Sequence, residues 1–280
     1  MGVVFLITSL SFSIPEKDNL LKKILYKIKN DKVDVKIEQA RGVHIKQVKY
    51  TSYSGKLKLE KVDKFIGAQK SKLVCNEKLK FPQNSGYKRF NSYDFSIRLC
   101  TNMALKIVSE LESPEKLRIG IYDTKAISAD ILPMLLKHCS NVIVVTDNEE
   151  RYYEVTEQAM DELGATAVIT KNINEIENCD LIIAPQVITE KLPLKREAVV
   201  LTIDSPKVEV PALVYHKYYF KMPNGFDRIK PIELDEEYFC SALYSLCSQF
   251  ELGSIVPTVC RNYSTSQTVK SLSAYIKRFT

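Results

Sequence analysis

The sequence predicts an α/β fold: a parallel sheet with helices on both faces, preceded by a small α+β domain and closed by C-terminal helices. Two observations carry this expectation. Between residues 117 and 203, short runs of Val, Ile, Leu and Ala alternate with segments of helical periodicity. Those runs are apolar at consecutive positions, as in strands buried on both faces, whereas a sheet with one wet face would alternate. The charge is also divided. Residues 1–116 carry 23 Lys and Arg against 12 Asp and Glu, a net +11, and the remainder carries a net −5 of the overall +6. One half of the chain is therefore basic and the other mildly acidic.

In chain order, Val3–Thr8 reads as a buried strand. Leu20, Leu21, Ile24, Leu25 and Ile28 recur at helical spacing with lysines between them. Val33–Ile37 and Val43–Tyr50 alternate about Arg41-Gly42, which predicts a hairpin. Leu57–Phe65 reads as a short helix and Leu73–Cys75 as a short strand, while Phe81–Phe90 has the composition of a loop. A long helix over Ser92–Leu111 then connects the first domain, residues 1–112, to the second, residues 113–212.

The second domain has the clearest rhythm. Strands are expected at Leu117–Tyr122, Val142–Thr146, Thr166–Thr170, Asp180–Ala184 and Ala198–Ile203, with helices over Ile127–His138 and Glu149–Leu163 and a short one at Ile173–Ile176. Gly164 has the position of a left-handed helix cap. Ala212–His216 reads as a sixth strand. Two helices, Asp235–Phe250 and Gln267–Phe279, finish the chain within residues 213–280 and are expected to pack back on the first domain.

Seven cysteines, an odd number without CxxC spacing, fit neither a disulfide framework nor a zinc site and point to a reducing cytoplasm. Cys139 and Cys179 adjoin apolar stretches and read as small buried side chains. No apolar run approaches bilayer length, and Met1–Leu10 has no Lys or Arg before it, so it reads as folded domain.

A parallel α/β sheet binds ligands beyond the carboxyl ends of its strands. That edge holds Asp123-Thr124-Lys125, Ser128, Asp147-Asn148 and Gln186 as candidate cofactor-binding residues. In order and length of elements, residues 116–203 resemble the Rossmann-type NAD(P)-binding superfamily, and the two-domain plan is similar to shikimate-dehydrogenase-type enzymes. The resemblance implies NAD or NADP, with an acidic residue ending the second strand on the ribose. Asp147, 24 positions after Asp123, fits that place. The glycine-rich phosphate turn is missing, because Asp123–Ser128 contains no glycine. Lys125, Ser128 and the helix N-terminus could compensate in part, while Asp123 would set a negative charge near a pyrophosphate. The ligand stays open between NAD(P), another nucleotide or small anion, and none.

In the implied two-domain plan such a nucleotide or anionic metabolite would lie in the cleft between the domains, and the protein would be a divergent oxidoreductase or a non-catalytic relative. No catalytic pair can be transferred. Lys64, Lys70, Lys72 and Asp63 occupy suitable territory without a matching motif. A receiver domain is excluded, since Thr170-Lys171 stands where its phosphoacceptor Asp would be. His44, His138 and His216 are isolated, and His216 reads as a packing residue. The alternative function is nucleic-acid binding by the basic half, where Phe65–Lys70 and Gly86–Phe90 set aromatic rings beside cations. A homodimer is the default oligomeric expectation.

Overall fold

The computed structural model describes residues 5–16 and 29–278, so the helix expected over Leu20–Ile28 lies outside the described residues. The chain forms two compact units, Met1–Ser92 with Met222–Leu252, and Tyr93–Lys221 with Gly253–Thr280.

The first unit holds strands β1 (Phe5–Ser13), β2 (Lys32–Ala40), β3 (Val43–Thr51) and β4 (Val74–Cys75), in the order β2-β3-β1-β4. The expected hairpin forms from β2 and β3, and its turn places both Arg41 and Gly42 at positive φ. β1 runs parallel to β3 and β4. Leu10, Val48 and Tyr50 pack with Val62 and Ile66 of the helix Leu59–Ile66 and with Leu73. The helix Glu236–Leu246 also belongs to this unit, started by Asp235, whose carboxylate accepts the N–H groups of Glu237 (3.0 Å) and Tyr238 (3.3 Å).

The second unit contains β5 (Ile119–Tyr122), β6 (Val142–Val145), β7 (Val168–Thr170), β8 (Leu181–Ala184), β9 (Val199–Thr202) and β10 (Leu213–Tyr215). They form one wholly parallel sheet in the order β10-β9-β8-β5-β6-β7. β5, β6, β8 and β9 are buried at every residue, which accounts for a composition that is apolar but for Thr202 at the end of β9. The helix Glu149–Leu163 forms over the expected residues, and Gly164 closes it at φ 65°. Three further short strands, β11 (Lys217–Tyr219), β12 (Val259–Arg261) and β13 (Ser266–Thr268), make an antiparallel sheet in the same unit. They are too short to impose a period on the sequence.

The division differs from the expected one at two places. The long helix, Asp94–Ser109, does not end the first domain: it packs on β8 and β9 and on the helices Ile131–Leu136 and Val269–Ile276. The reason lies in the connections, because β8 to β9 and β9 to β10 are joined by loops without helices. The strands of that half would be bare on this face without Phe95, Leu99, Met103 and Ile107, all buried. The closing segment is likewise split, Met222–Leu252 joining the first unit and Val269–Ile276 packing within the second. The opposite face of the sheet is covered by the single-turn helix Ile173–Ile176 and by loop residues Ile188, Leu192 and Leu194.

Gly120 sits on β5 where this second face closes down. A Cβ there would lie 2.6 Å from Ile182 Cδ1 and 3.0 Å from Ile176 Cγ2, both on fully buried side chains. Gly120→Ala is expected to cost about 1–3 kcal/mol of stability through overpacking, read by chemical denaturation. A variant as stable as the parent would show that this packing yields freely.

Candidate functional site

Because all six strands of the large sheet are parallel, their carboxyl ends share one edge. Along it stand Asp123 after β5, Thr146 and Asp147 after β6, Gln186 after β8, and His216 after β10. β5, the first strand, lies beside β8, the fourth, and from this pair the connections run outward in opposite directions. That is the order 3-2-1-4-5-6 with its switch point between the first and fourth strands. The second unit has Rossmann topology.

At the switch point the first turn is closed from within. Asp123 is fully buried, and its carboxylate accepts the backbone N–H groups of Ile127 (3.0 Å) and Ser128 (2.8 Å) and the hydroxyl of Tyr152 (3.0 Å). Amides at such a strand-to-helix turn are the groups that would face a phosphate. Here a side chain of the protein takes them. The turn is tight enough to hold Ala126 at φ 53°, a conformation that favours glycine, with its N–H donated to the Asp123 carbonyl (3.1 Å). Burial pushes the Asp123 carboxyl above its ordinary range, against the opposing pull of the Ser128 and Ile127 amides and Tyr152. Burial, with Asp123 beside it, likewise holds the Tyr152 phenol protonated.

The other sequence-derived candidates divide into two groups. Thr124 and Gln186 are brought together: the N–H (3.0 Å) and hydroxyl (2.9 Å) of Thr124 both donate to Gln186 Oε1, a bridge directly across the switch point. The Thr202 hydroxyl holds the Gln186 carbonyl (2.7 Å), and the Tyr122 hydroxyl donates to Glu190. Lys125, Asp147 and Asn148 are exposed, and Ser128 is buried. The Asp147 N–H is held by the Thr124 carbonyl (3.0 Å), which fixes the backbone beneath a solvent-facing carboxylate. Asn148 occupies the cap position of the helix Glu149–Leu163 without a side-chain cap bond; its own N–H is taken by Thr146 Oγ1 (3.1 Å). Sequence reading missed Tyr152 and Thr146. The signal for Tyr152 is a tyrosine one turn into the second helix, and it becomes legible only once Asp123 is known to face inward.

In the first unit the aromatic and basic cluster is committed to packing. Tyr87 is buried and donates its hydroxyl to Asp63 (2.6 Å), and Phe90 is buried as well. The guanidinium of Arg89 lies 3.7 Å from the centre of the Tyr238 ring and its Nε donates to the Cys75 carbonyl (2.9 Å). Rings that would have to stack on bases are thus turned inward. Lys64, Lys70 and Lys72 are exposed, and Lys64 lies over the Phe65 ring. All seven cysteines are buried and none is in a disulfide; burial pushes the Cys179, Cys240, Cys247 and Cys260 thiols to about 12, which leaves them inert as nucleophiles. No helix among the described residues is long and apolar enough to cross a membrane.

No family model and no curated protein matches the chain. Among solved structures it is similar to the Δ1-pyrroline-2-carboxylate reductase of Thermococcus litoralis in complex with NADH and L-proline, at 12% identity and a TM-score of 0.29, over 65% of this chain and 60% of that one. It is also similar to L-tryptophan dehydrogenase from Nostoc punctiforme, at 12% identity and a TM-score of 0.31, over 72% of this chain and 64% of that one. The chain thus spans less than two thirds of the length of either.

Removing the Asp123 carboxylate takes the partner from three donors at once, two of them, the Ser128 N–H and the Tyr152 hydroxyl, in buried bonds. Asp123→Ala is therefore expected to lose at least about 2 kcal/mol in chemical denaturation, and a smaller loss would mean that water replaces the carboxylate. The pH dependence has a definite sign. With the folded carboxyl raised above 3.8, the native state holds this proton more tightly than the unfolded chain, so its contribution is full in acid and is lost as pH rises through the folded value. Asp123→Asn should flatten that fall in a stability-against-pH series, and an unchanged slope would assign it to other groups.

Proposed function

We propose that this protein binds a small metabolite or mononucleotide-like ligand at the carboxyl edge of its parallel sheet, and that it does not hold NAD(P) through its first turn. The observation that carries this reading is the Asp123 carboxylate on the Ile127 and Ser128 amides. A pyrophosphate arriving there would find the Ile127 and Ser128 N–H groups already taken, and displacing the Asp123 carboxyl would unpair Tyr152 as well. The residues present therefore do not fit the diphosphate of a dinucleotide, and the Thr124–Gln186 bridge occupies the crevice mouth beside it.

Asp147 supports the narrower alternative of a nucleoside. It is exposed at the end of the second strand, where an acidic residue meets ribose hydroxyls in sheets of this topology. The adenosine half of a nucleotide is compatible with this edge and the diphosphate is not. The reading favours a Rossmann-like protein outside dinucleotide-dependent redox chemistry over a hydride-transfer enzyme.

Thermal unfolding in the presence of NAD, NADH, NADP and NADPH, set beside adenosine and AMP, tests the reading. A ligand at a hundredfold excess over its Kd adds about 2.7 kcal/mol, a shift of several degrees. The dinucleotides should stabilise no more than adenosine or AMP do, and Asp147→Ala should remove the adenosine response. A dinucleotide that stabilises well beyond AMP would sink the proposal.

A further inference from the structure

Beyond the switch point the same sheet edge reaches β9 and β10, and here a polar group is left unsatisfied. His216 directly follows β10 and is 4% exposed, yet neither Nδ1 nor Nε2 has a hydrogen-bond partner among the described residues. A neutral imidazole carries one donor and one acceptor, and burying both without partners is unfavourable enough to require an explanation. The ring does not stand in a collapsed core. It lines a cavity of about 310 Å³ together with the aliphatic Pro206, Val208, Val210 and Val214 and the polar Ser205, Asn262 and Ser264.

The surroundings are held firmly. The His216 N–H donates to the Arg261 carbonyl (3.1 Å), and the Tyr218 hydroxyl donates to the Thr202 carbonyl (2.8 Å). Asn262 Oδ1 accepts the N–H groups of Ser264 (2.9 Å) and Thr265 (2.7 Å), which fixes the turn and leaves the Asn262 NH2 uncommitted. On this turn Tyr263 lies with its ring centre 5.0 Å from that of His216 while remaining 80% exposed. It is an aromatic cover over the imidazole.

We propose that this cavity binds a small uncharged molecule with a branched aliphatic body and an amide head, the head pairing with His216 and Asn262 when Tyr263 moves aside. The inference rests on the reading that ligands sit at the carboxyl edge, and is independent of the first turn. The chemistry of the lining selects against charge, because none of the residues around the cavity is a Lys, Arg, Asp or Glu. The nearest charges acting on the imidazole, Lys217 and Asp204, oppose each other, and burial favours its neutral form. A carboxylate there would find no cation among the lining residues to meet it.

The three histidines of the chain make the site readable by NMR of ring-labelled histidine, since His44 and His138 do not line the cavity and serve as internal references. Isovaleramide is the probe and isovalerate its isosteric anion, compared at a pH well above the ordinary imidazole range. Isovaleramide should move the His216 resonances saturably and bind about tenfold or more tightly than isovalerate. Val210→Phe, which fills the cavity, should abolish the shift while thermal unfolding shows it folded; Val210→Leu serves if it is not. Silent His216 resonances, a shift that survives the filled cavity, or isovalerate binding as tightly as the amide would each overturn the site. Adenosine or AMP stabilising a protein whose His216 stays silent to isovaleramide would overturn this inference and leave the carboxyl-edge reading intact.

Discussion

The Asp123 carboxylate ties together the parts of the second unit that any ligand at the switch point would meet. Through the Ile127 and Ser128 amides it sets the turn after β5, through the Tyr152 hydroxyl it anchors the helix that follows β6, and its own N–H joins the Val145 carbonyl (3.1 Å) on that strand. A buried carboxylate is tolerated only when its acceptor positions are met, and here three donors meet them. The turn that a dinucleotide would need open has become part of the internal hydrogen bonding. The groups of this edge that stay outside that bonding include Asp147 on one side and the His216 ring on the other.

The sheet was legible because burial on both faces leaves its strands no freedom to be polar. Four of the six strands, β5, β6, β8 and β9, are buried throughout and apolar at nearly every residue, and the helix Glu149–Leu163 carries both its amphipathic period and its glycine stop. The helix expected over Ile127–His138 is cut to Ile131–Leu136, because Asp123 holds residues 127 and 128 in the turn, a tertiary bond that periodicity does not register. The antiparallel strands β11 to β13 were illegible for a plainer reason. Three residues are fewer than two periods of a strand.

The site was less legible than the fold, and the difficulty was one of direction. Composition places Asp123 at the ligand edge but does not say whether its carboxylate faces water or protein, and the donor that turns it inward, Tyr152, lies 29 residues away. His216 presents the reverse problem. Between Tyr215 and Lys217 it reads as an ordinary packed residue, and only the missing partners of its ring, beside a cavity, distinguish it. Charge misled in the same way in the basic half, where Arg89 spends its guanidinium on Tyr238 and Cys75.

The helix Asp94–Ser109 gives the second unit an unusual assembly order. It is synthesised before β5, yet it covers β8 and β9, and the helix that packs beside it, Val269–Ile276, ends the described chain. The core of the sheet therefore cannot close strand by strand as it is made: its first piece must wait, apolar face unmet, for strands made roughly ninety residues later and a helix later still. An excised fragment beginning at residue 113 would carry the whole parallel sheet and lack the surface that keeps half of it dry.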